Sequence, residues 1–132
     1  MTIDRFNPPE LARPSGFSHV VAARGGTLVF LAGQTASDET GKITGTGVVA
    51  QFERALANLL TALAAAGGAP EHLTSLTIYA TDLADYRAHG RELGAVWRRL
   101  AGRDYPAMAA VGVAGLWDPR AVVEISGFAV IG

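Results

Sequence analysis

The feature that most constrains the fold is the apolar C-terminal run Ala121–Ile131, in which Glu124 is the only charged residue. Alternation along this run predicts a strand with two distinct faces, one bearing Val122, Glu124, Ser126 and Phe128 and the other Val123, Ile125 and Gly127. An ionised carboxylate on a sheet face is costly unless it is hydrated or paired. The preceding run PAMAAVGVAG contains no cation. We therefore expect Glu124 to line a cleft.

Length and composition favour a single domain that associates with copies of itself. The chain has 132 residues, of which 49% are apolar, and this is enough for one packed core. A small monomer would have to expose part of so much apolar surface, so we expect a homo-oligomer. The net charge of −1 argues against a nucleic-acid partner, which would favour a basic stripe.

Several kinds of site are disfavoured by what the sequence lacks. There are no cysteines, so thiolate chemistry and Cys-based zinc sites are excluded. The three histidines, His19, His72 and His89, have no metal-ligand spacing, and we expect neither a metal nor a cofactor. No leader and no membrane-spanning run is evident, so the expected location is the cytoplasm, without a membrane partner.

The N-terminal third is expected to contain an irregular segment and a hairpin. Residues 1–16 include Pro8, Pro9 and Pro14 and are expected to run extended over the surface without regular structure. Strands are predicted at His19–Arg24 and Thr27–Ala32. The Gly25–Gly26 pair between them is a typical two-residue hairpin turn.

The rest of the chain alternates between helical and strand patterns. Apolar residues at three- and four-residue spacing predict a helix over Val48–Ala66, ended by Gly67–Gly68. The further predicted elements are a strand over Leu73–Thr81, a helix over Tyr86–Leu100 capped by Asp82 or Asp85, and strands over Ala107–Val113 and Ala121–Ile131. The order ββαβαββ predicts an α+β domain with two helices on one sheet face. The arginines of the second helix, Arg87, Arg91, Arg98 and Arg99, are expected to form its solvated face.

The chain resembles the Rid, or YjgF-type, family along nearly its whole length. The residues that bear this resemblance are GTLVFLAGQ (Gly26–Gln34), QFERALANLLTALAAAG (Gln51–Gly67), LTIYATDLADY (Leu76–Tyr86) and the C-terminal YPAM and VVEISGFAVI. The resemblance implies one Rid-like domain over 1–132 with a chorismate-mutase-like fold. It also implies a homotrimer with a central barrel and ligand clefts between subunits. Well-known members hydrolyse 2-imino or 2-enamino acids without a cofactor.

The resemblance also implies a division of labour in the cleft. In such a site an arginine forks onto the substrate carboxylate with two parallel hydrogen bonds. A carboxylate activates or positions the attacking water. Glu124 occupies the position of the family's strand glutamate and is the expected catalytic residue. Gly33 and Gln34 match the family's Ser-Gly-Gln turn, with Ala32 in place of the serine.

Other positions depart from the family pattern. The signature Pro-Ala-Arg-Ser is replaced here by Pro106, Ala107, Met108 and Ala109, and the hydroxyl or thiol that follows is replaced by Ala110. Removing the cation of a buried arginine–carboxylate pair costs about 3–5 kcal/mol, so standard 2-imino-acid hydrolysis should fall at least about a hundredfold.

Five further residues complete the expected ligand-binding set. Phe17 stands where a tyrosine often lines the cleft, and Gly90 where an asparagine is frequent. His89, beside it, could supply a group that titrates near neutral pH. In the loop before the last strand, Trp117 could cap the pocket and Arg120 could replace the lost positive charge.

Three functional hypotheses follow. The first is a hydrolase acting on a C–N bond, which converts an imine, enamine or related carbonyl compound other than a standard 2-imino acid. The second is a non-catalytic trimer that binds a metabolite or another protein. The third is an ordinary 2-imino-acid deaminase with Arg120 or another substitute arginine.

Overall fold

The strand that contains Glu124 lies inside a four-stranded sheet in the computed structural model, which describes residues 1–132. In chain order the strands are β1 (Thr2–Phe6), β2 (Val20–Arg24), β3 (Thr27–Gln34), β4 (Leu73–Ala80), β5 (Ala107–Gly112) and β6 (Val123–Ile131). The helices are α1 (Val48–Ala65), α2 (Leu83–Ala88) and α3 (Gly90–Ala101), with a short 3₁₀ turn at Pro70–His72. This is the predicted α+β fold, and no helix is both long and apolar enough to cross a bilayer.

The main sheet has the order β3-β6-β4-β5, and only the β4–β5 pair is parallel. The register sets rows of side chains across the strands. One row joins Leu31, Gly127, Leu76 and Met108, and the row beside it joins Phe30, Phe128, Ser75 and Ala107. Because neighbouring residues of a strand face opposite ways, these two rows lie on opposite faces.

The helices cover the first of these faces. Helix α1 is amphipathic, as its three- and four-residue spacing predicts, and it ends where Gly67 turns at a φ of 88°. Its apolar stripe packs with α3 against the sheet, and the core includes Phe52, Leu56, Leu59, Leu63, Leu76, Ile78, Leu93, Val96, Trp97, Val123 and Ile125. This is the only face of the sheet that the chain itself covers with helices.

The opposite face, which we call the open face, bears exposed apolar side chains along its outer strands and near the end of β6. Phe30 is 71% exposed, and its ring meets that of Phe128 edge-on at a centroid distance of 5.3 Å. Leu28 and Val111 are exposed on the same face. Such a patch on a small protein marks an interaction surface.

The N-terminal segment contains a strand that the sequence reading missed. The prolines begin only at Pro8, and the five residues of Thr2–Phe6 pair antiparallel with Val20–Arg24. Gly25 and Gly26 do turn the chain, at φ values of 69° and 76°. The predicted hairpin is nevertheless wrong, because β2 pairs with β1 whereas β3 pairs with β6.

The second helical region is divided at His89. Of the two predicted N-cap candidates, Asp82 is the cap, and its carboxylate accepts a hydrogen bond of 3.0 Å from the backbone N–H of Asp85. The helix therefore begins at Leu83, three residues earlier than predicted. His89 ends α2 and precedes α3, so the single helix expected over Tyr86–Leu100 is two helices.

Candidate functional site

Glu124 lies on the open face, beside an irregularity in the sheet. The pairing of β3 with β6 shifts between Leu31 and Gln34, so two residues of β3 oppose one of β6. Such a bulge re-aims side chains and is frequent near active sites. A Cβ at position 33 would overlap the carboxylate of Glu124. The absence of a side chain at Gly33 is therefore what lets this carboxylate lie across β3.

The carboxylate of Glu124 has no partner within the chain. Its neighbours across the sheet are Tyr79 and Val111, which share its row. No hydrogen bond or ion pair to Glu124 is present, and the residue is half-buried. A carboxylate in this setting is free to accept a proton or to orient a water molecule. We call Glu124, Gly33 and Tyr79 the carboxylate side.

Met108 lies on the opposite, helix-covered face. It pairs with Leu76 of the core and lines a cavity of about 520 Å³ between α2, α3, β5 and the N-terminal segment at Ser15–Gly16. Seven of the thirteen lining residues are hydrophobic. We call this space the helix-side cavity. Its size is in the range of small-molecule sites.

Two aromatic residues provide polar groups to this cavity. Burial raises the pKa of Tyr86 to about 12, so its phenol stays protonated and can donate a hydrogen bond. Trp97 is 4% exposed, and its indole N–H is buried without a hydrogen-bond partner. Buried donors are nearly always paired, so this one is notable.

The charged groups of the cavity are both cations. Arg91 and Arg98 line it, and no acidic residue does. Arg91 and Arg98 are exposed, as expected for a solvated helix face, and they also line the rim of this cavity. Both remain exposed at the cavity rim, whereas Arg99 turns away and pairs with Glu53.

Two glycines of α3 keep the cavity open. A Cβ at Gly90 would meet nothing within 4 Å, so no packing contact demands a glycine there. A Cβ at Gly94 would meet only Nη1 of Arg98, at 3.3 Å. A glycine inside a helix costs about 1 kcal/mol relative to alanine. The chain thus accepts a cost in helix stability and leaves space at the cavity wall.

The remaining sequence-predicted residues are dispersed around these two regions. Ala110 follows Met108 on the same face of β5 and is exposed. Phe17 does not line the cavity, and its ring contacts that of His19 edge-on at 5.0 Å. Gln34 lines a separate polar groove, and its amide donates to the carbonyl of Ala32 at 3.5 Å.

His89 and Arg120 are each engaged by a nearby acid. Nδ1 of His89 donates to the backbone carbonyl of Asp85 at 2.8 Å, and this bond, with the Asp85 carboxylate, raises the pKa of His89. Arg120 forks onto Asp118 with bonds of 3.1 and 3.0 Å, which lower the pKa of Asp118. Neither His89 nor Arg120 lines the helix-side cavity. Within one chain, Arg120 is therefore not placed to replace the arginine absent at Met108.

The loop residue Trp117 has almost no contact with the rest of the chain. Its side chain is 99% exposed. Nothing in the chain lies beneath it, so it caps neither region within one copy. An exposed tryptophan beside the Arg120–Asp118 ion pair is a suitable contact point for a second copy.

The two groups of candidate residues are separated by the sheet itself. Glu124 and Gly33 lie toward the open face, whereas Met108 and Gly90 lie at the helix-side cavity. One chain therefore cannot bring the carboxylate of Glu124 to a ligand in that cavity. A combined site would require the carboxylate side of one copy to meet the cavity of another.

Sequence reasoning missed Arg91 and Arg98, although a local signal existed. Gly90 and Gly94 are one helical turn apart, and Arg91, Gly94 and Arg98 follow at three- and four-residue spacing on the same stripe. Gly94 lies inside α3 and Gly90 begins it, and the absence of side chains at both leaves room beside this stripe for a ligand or another backbone. The arginines on the stripe are therefore candidates for binding as well as for solvation.

Comparison with known proteins gives consistent matches over almost the whole chain. The profile of the endoribonuclease L-PSP family matches residues 10–131. Protein DfrA of Myxococcus xanthus is 37% identical over 116 residues, which cover 86% of this chain and 84% of that protein.

Solved structures agree with this match. The Rid-family protein YyfB of Yersinia pestis is 31% identical, with a TM-score of 0.86, over 99% of this chain and 100% of that one. RidA of the Antarctic bacterium Psychrobacter is 33% identical, with a TM-score of 0.68, over 91% of this chain and 92% of that one. The fold predicted from the resemblance is thereby confirmed.

Proposed function

Given that the chain belongs to the endoribonuclease L-PSP family, which includes the Rid proteins, we propose that it converts a small imine, enamine or related carbonyl compound. The reaction takes place in a cleft between two copies of the chain. The observation that carries the proposal is the unpaired carboxylate of Glu124, which lies across Gly33 on the open face. The substrate is other than a standard 2-imino acid, because Met108 provides no cation.

The chemistry needs one base and one water molecule. Glu124 takes a proton from water, whose oxygen attacks the carbon of the C=N bond, and the nitrogen gains protons and leaves as ammonia. The products are a carbonyl compound and ammonia, so no oxidant or reductant is consumed. The donors available in the cavity, Tyr86 among them, can hold the leaving nitrogen or the developing oxygen.

Assembly of the cleft is supported by the open face. Phe30, Phe128, Leu28 and Val111 form an exposed apolar surface on the same side of the sheet as Glu124. A second copy that covers this surface would bring its own residues beside the carboxylate. A homotrimer, as the family resemblance implies, meets this need at each of its interfaces. The net charge of −1 disfavours RNA as the substrate.

The test is ammonia release from freshly generated imines, compared between the unaltered protein and its Glu124→Gln variant. Loss of a general base lowers the rate by about 10²–10⁴-fold, and we expect a loss in that range. Glu71→Gln is the matched control, because Glu71 is exposed and its side chain makes no contact with either region. Activity that survives Glu124→Gln would contradict the proposal and favour a non-catalytic binding protein.

A second arm of the same experiment replaces the missing cation. Met108→Arg should raise activity toward 2-iminopropionate, because a guanidinium at this position can fork onto its carboxylate. We expect a gain of at least about tenfold. High activity of the unaltered protein toward 2-iminopropionate would mean that another cation already binds the carboxylate. The restriction to other substrates would then be wrong.

A further inference from the structure

We propose that Arg91 and Arg98 bind an acid group of the ligand at the outer wall of the helix-side cavity. The ligand is then an imine or enamine whose acid group is separated from the reacting carbon by an apolar segment. The identity of the reacting group rests on the proposed function. The presence of an acid group rests only on the cavity and its arginines.

The geometry of α3 brings the two arginines to one stripe. Seven residues are two helical turns less about 20°, so Arg91 and Arg98 share a face and lie about 10 Å apart along the axis. A helical side chain leans toward the N-terminus of its helix. Nη1 of Arg98 accordingly reaches back over Gly94, 3.3 Å from where a Cβ would be. The guanidinium of Arg98 therefore lies over Gly94, on the stripe that also bears Arg91.

The charge of the lining selects an anion. Arg91 and Arg98 are the only ionised groups that line the cavity, and neither has a hydrogen bond or an ion pair with an acidic side chain. Arg5, Arg99 and Arg120 are already paired with acidic side chains, whereas these two cations are unpaired and face an apolar cavity. An unpaired guanidinium attracts a carboxylate and can form two parallel hydrogen bonds with it, and the second cation adds to the attraction.

The rest of the lining suits an apolar segment with a few hydrogen-bond acceptors. Met108, Tyr86 and Trp97 present largely apolar surface, and Trp97 stacks on Tyr105 at a centroid distance of 6.2 Å. The phenol of Tyr86 is the donor available to such an acceptor, because the indole N–H of Trp97 is unpaired but inaccessible to solvent.

The experiment compares two probes of similar shape and different charge, 3-phenylpropionate and 3-phenylpropanamide. Binding to the assembled protein is measured by isothermal titration calorimetry. We expect the carboxylate to bind at least about tenfold more tightly than the amide, since hydrogen bonds to charged groups exceed neutral ones by this order. In the Arg91→Gln/Arg98→Gln variant that preference should disappear, with the amide affinity changed less than about twofold.

The matched control is Arg87→Gln/Arg103→Gln, which removes the same charge from two exposed arginines outside the cavity. It should keep the preference for the carboxylate. Arg98→Lys provides a second check, because it keeps the charge and loses the fork, and it should retain part of the preference. Far-ultraviolet circular dichroism verifies that each variant is folded.

Two results would overturn the inference. One is a carboxylate probe that binds the unaltered protein no more tightly than the amide, or does not bind at all. The other is a preference that survives Arg91→Gln/Arg98→Gln.

Neither result depends on catalysis. If Glu124→Gln loses activity while Arg91→Gln/Arg98→Gln keeps the preference for the carboxylate probe, the inference is rejected and the proposed function is kept. If Glu124→Gln stays active while Arg91→Gln/Arg98→Gln loses that preference, the anion site is kept and the proposed function is rejected.

Discussion

The two faces of the main sheet both bear large apolar side chains, but only one face is covered within the chain. On one face, Leu76 and Ile125 are fully buried beneath α1 and α3. On the other, Phe30 and Phe128 are exposed, although they sit at equally regular positions of β3 and β6. Large apolar side chains on a strand therefore do not show which face of the sheet the chain buries. The helices of this chain cover only one of the two faces.

The two faces of the sheet also differ in the charged groups that lie beside them. The helix-covered side has a cavity with two cations and apolar walls, and the open side has a carboxylate without a partner. A face that is both apolar and chemically incomplete is well suited to a second copy. The three predictions that follow test this division, beginning with the largest expected effect.

The first prediction contrasts a core leucine with a leucine of the open face. Leu56→Ala removes a side chain that is 0% exposed and should lower the free energy of unfolding by about 2–5 kcal/mol. Leu28 is 54% exposed, so Leu28→Ala should cost less than about 1 kcal/mol in the separated chain. Urea denaturation, repeated over a range of protein concentrations, measures both.

The dependence on protein concentration should distinguish the stability losses of these two variants. Association stabilises a fold by mass action, so any larger effect of Leu28→Ala should appear only where the chains are assembled. The loss in Leu56→Ala should be present at every concentration. A concentration-independent loss in Leu28→Ala equal to that in Leu56→Ala would mean that the open face is already covered within one chain.

The second prediction concerns assembly itself. Phe30→Asp places a charge at the most exposed phenylalanine of the open face, where 71% of the residue is accessible. Truncating an aromatic anchor of an interface commonly costs 2 kcal/mol or more, so the dissociation constant should rise at least about tenfold. Sedimentation velocity would detect lighter particles with unchanged circular dichroism.

Ala95→Asp is the matched control for that substitution, because Ala95 is exposed on α3 and lies on the helical side of the molecule. It should leave the sedimentation profile unchanged. An unaltered profile in Phe30→Asp would show that the open face is not where copies meet.

The third prediction concerns the position of the carboxylate. A methyl group at Gly33 would overlap the carboxylate of Glu124, which must then move. Gly33→Ala should lower the rate of imine conversion by about tenfold or more, since small displacements of a catalytic group have effects of this order. Ammonia release measures the rate, and thermal denaturation should show that the fold persists.

Gly115→Ala is the matched control, because a Cβ there would meet nothing within 4 Å. Equal activity of Gly33→Ala and Gly115→Ala would show that the rate does not depend on the position of the Glu124 carboxylate. A parallel loss of rate and stability in Gly33→Ala would instead point to damage of the β3 bulge.

Local patterns predicted most of the elements. The helix α1 begins at the predicted Val48, and Asp82 caps α2 as its residue type indicates. The predictions failed where pairing between strands distant in sequence determined the structure. Thr2–Phe6 has too little pattern of its own to identify a strand, and it became one because Val20–Arg24 offered it an edge. Gly25–Gly26 turns the chain, but no local signal shows that β2 pairs with β1 and β3 with β6 instead of with each other.

The sequence by itself determined which residues could do chemistry, and the tertiary structure decided which of them could do it together. Alternation puts Glu124 on the more polar face of its own strand, but the run around Met108 has no alternation, and neither pattern says whether the two residues share a face of the sheet. The register of β4 with its two neighbours puts Glu124 in a row with Tyr79 and Met108 in a row with Leu76. A shift of one residue would reverse a face, because side chains alternate with a period of two. Which residues of neighbouring strands share a face is set by the register between the strands, and the sequence of one strand does not determine it.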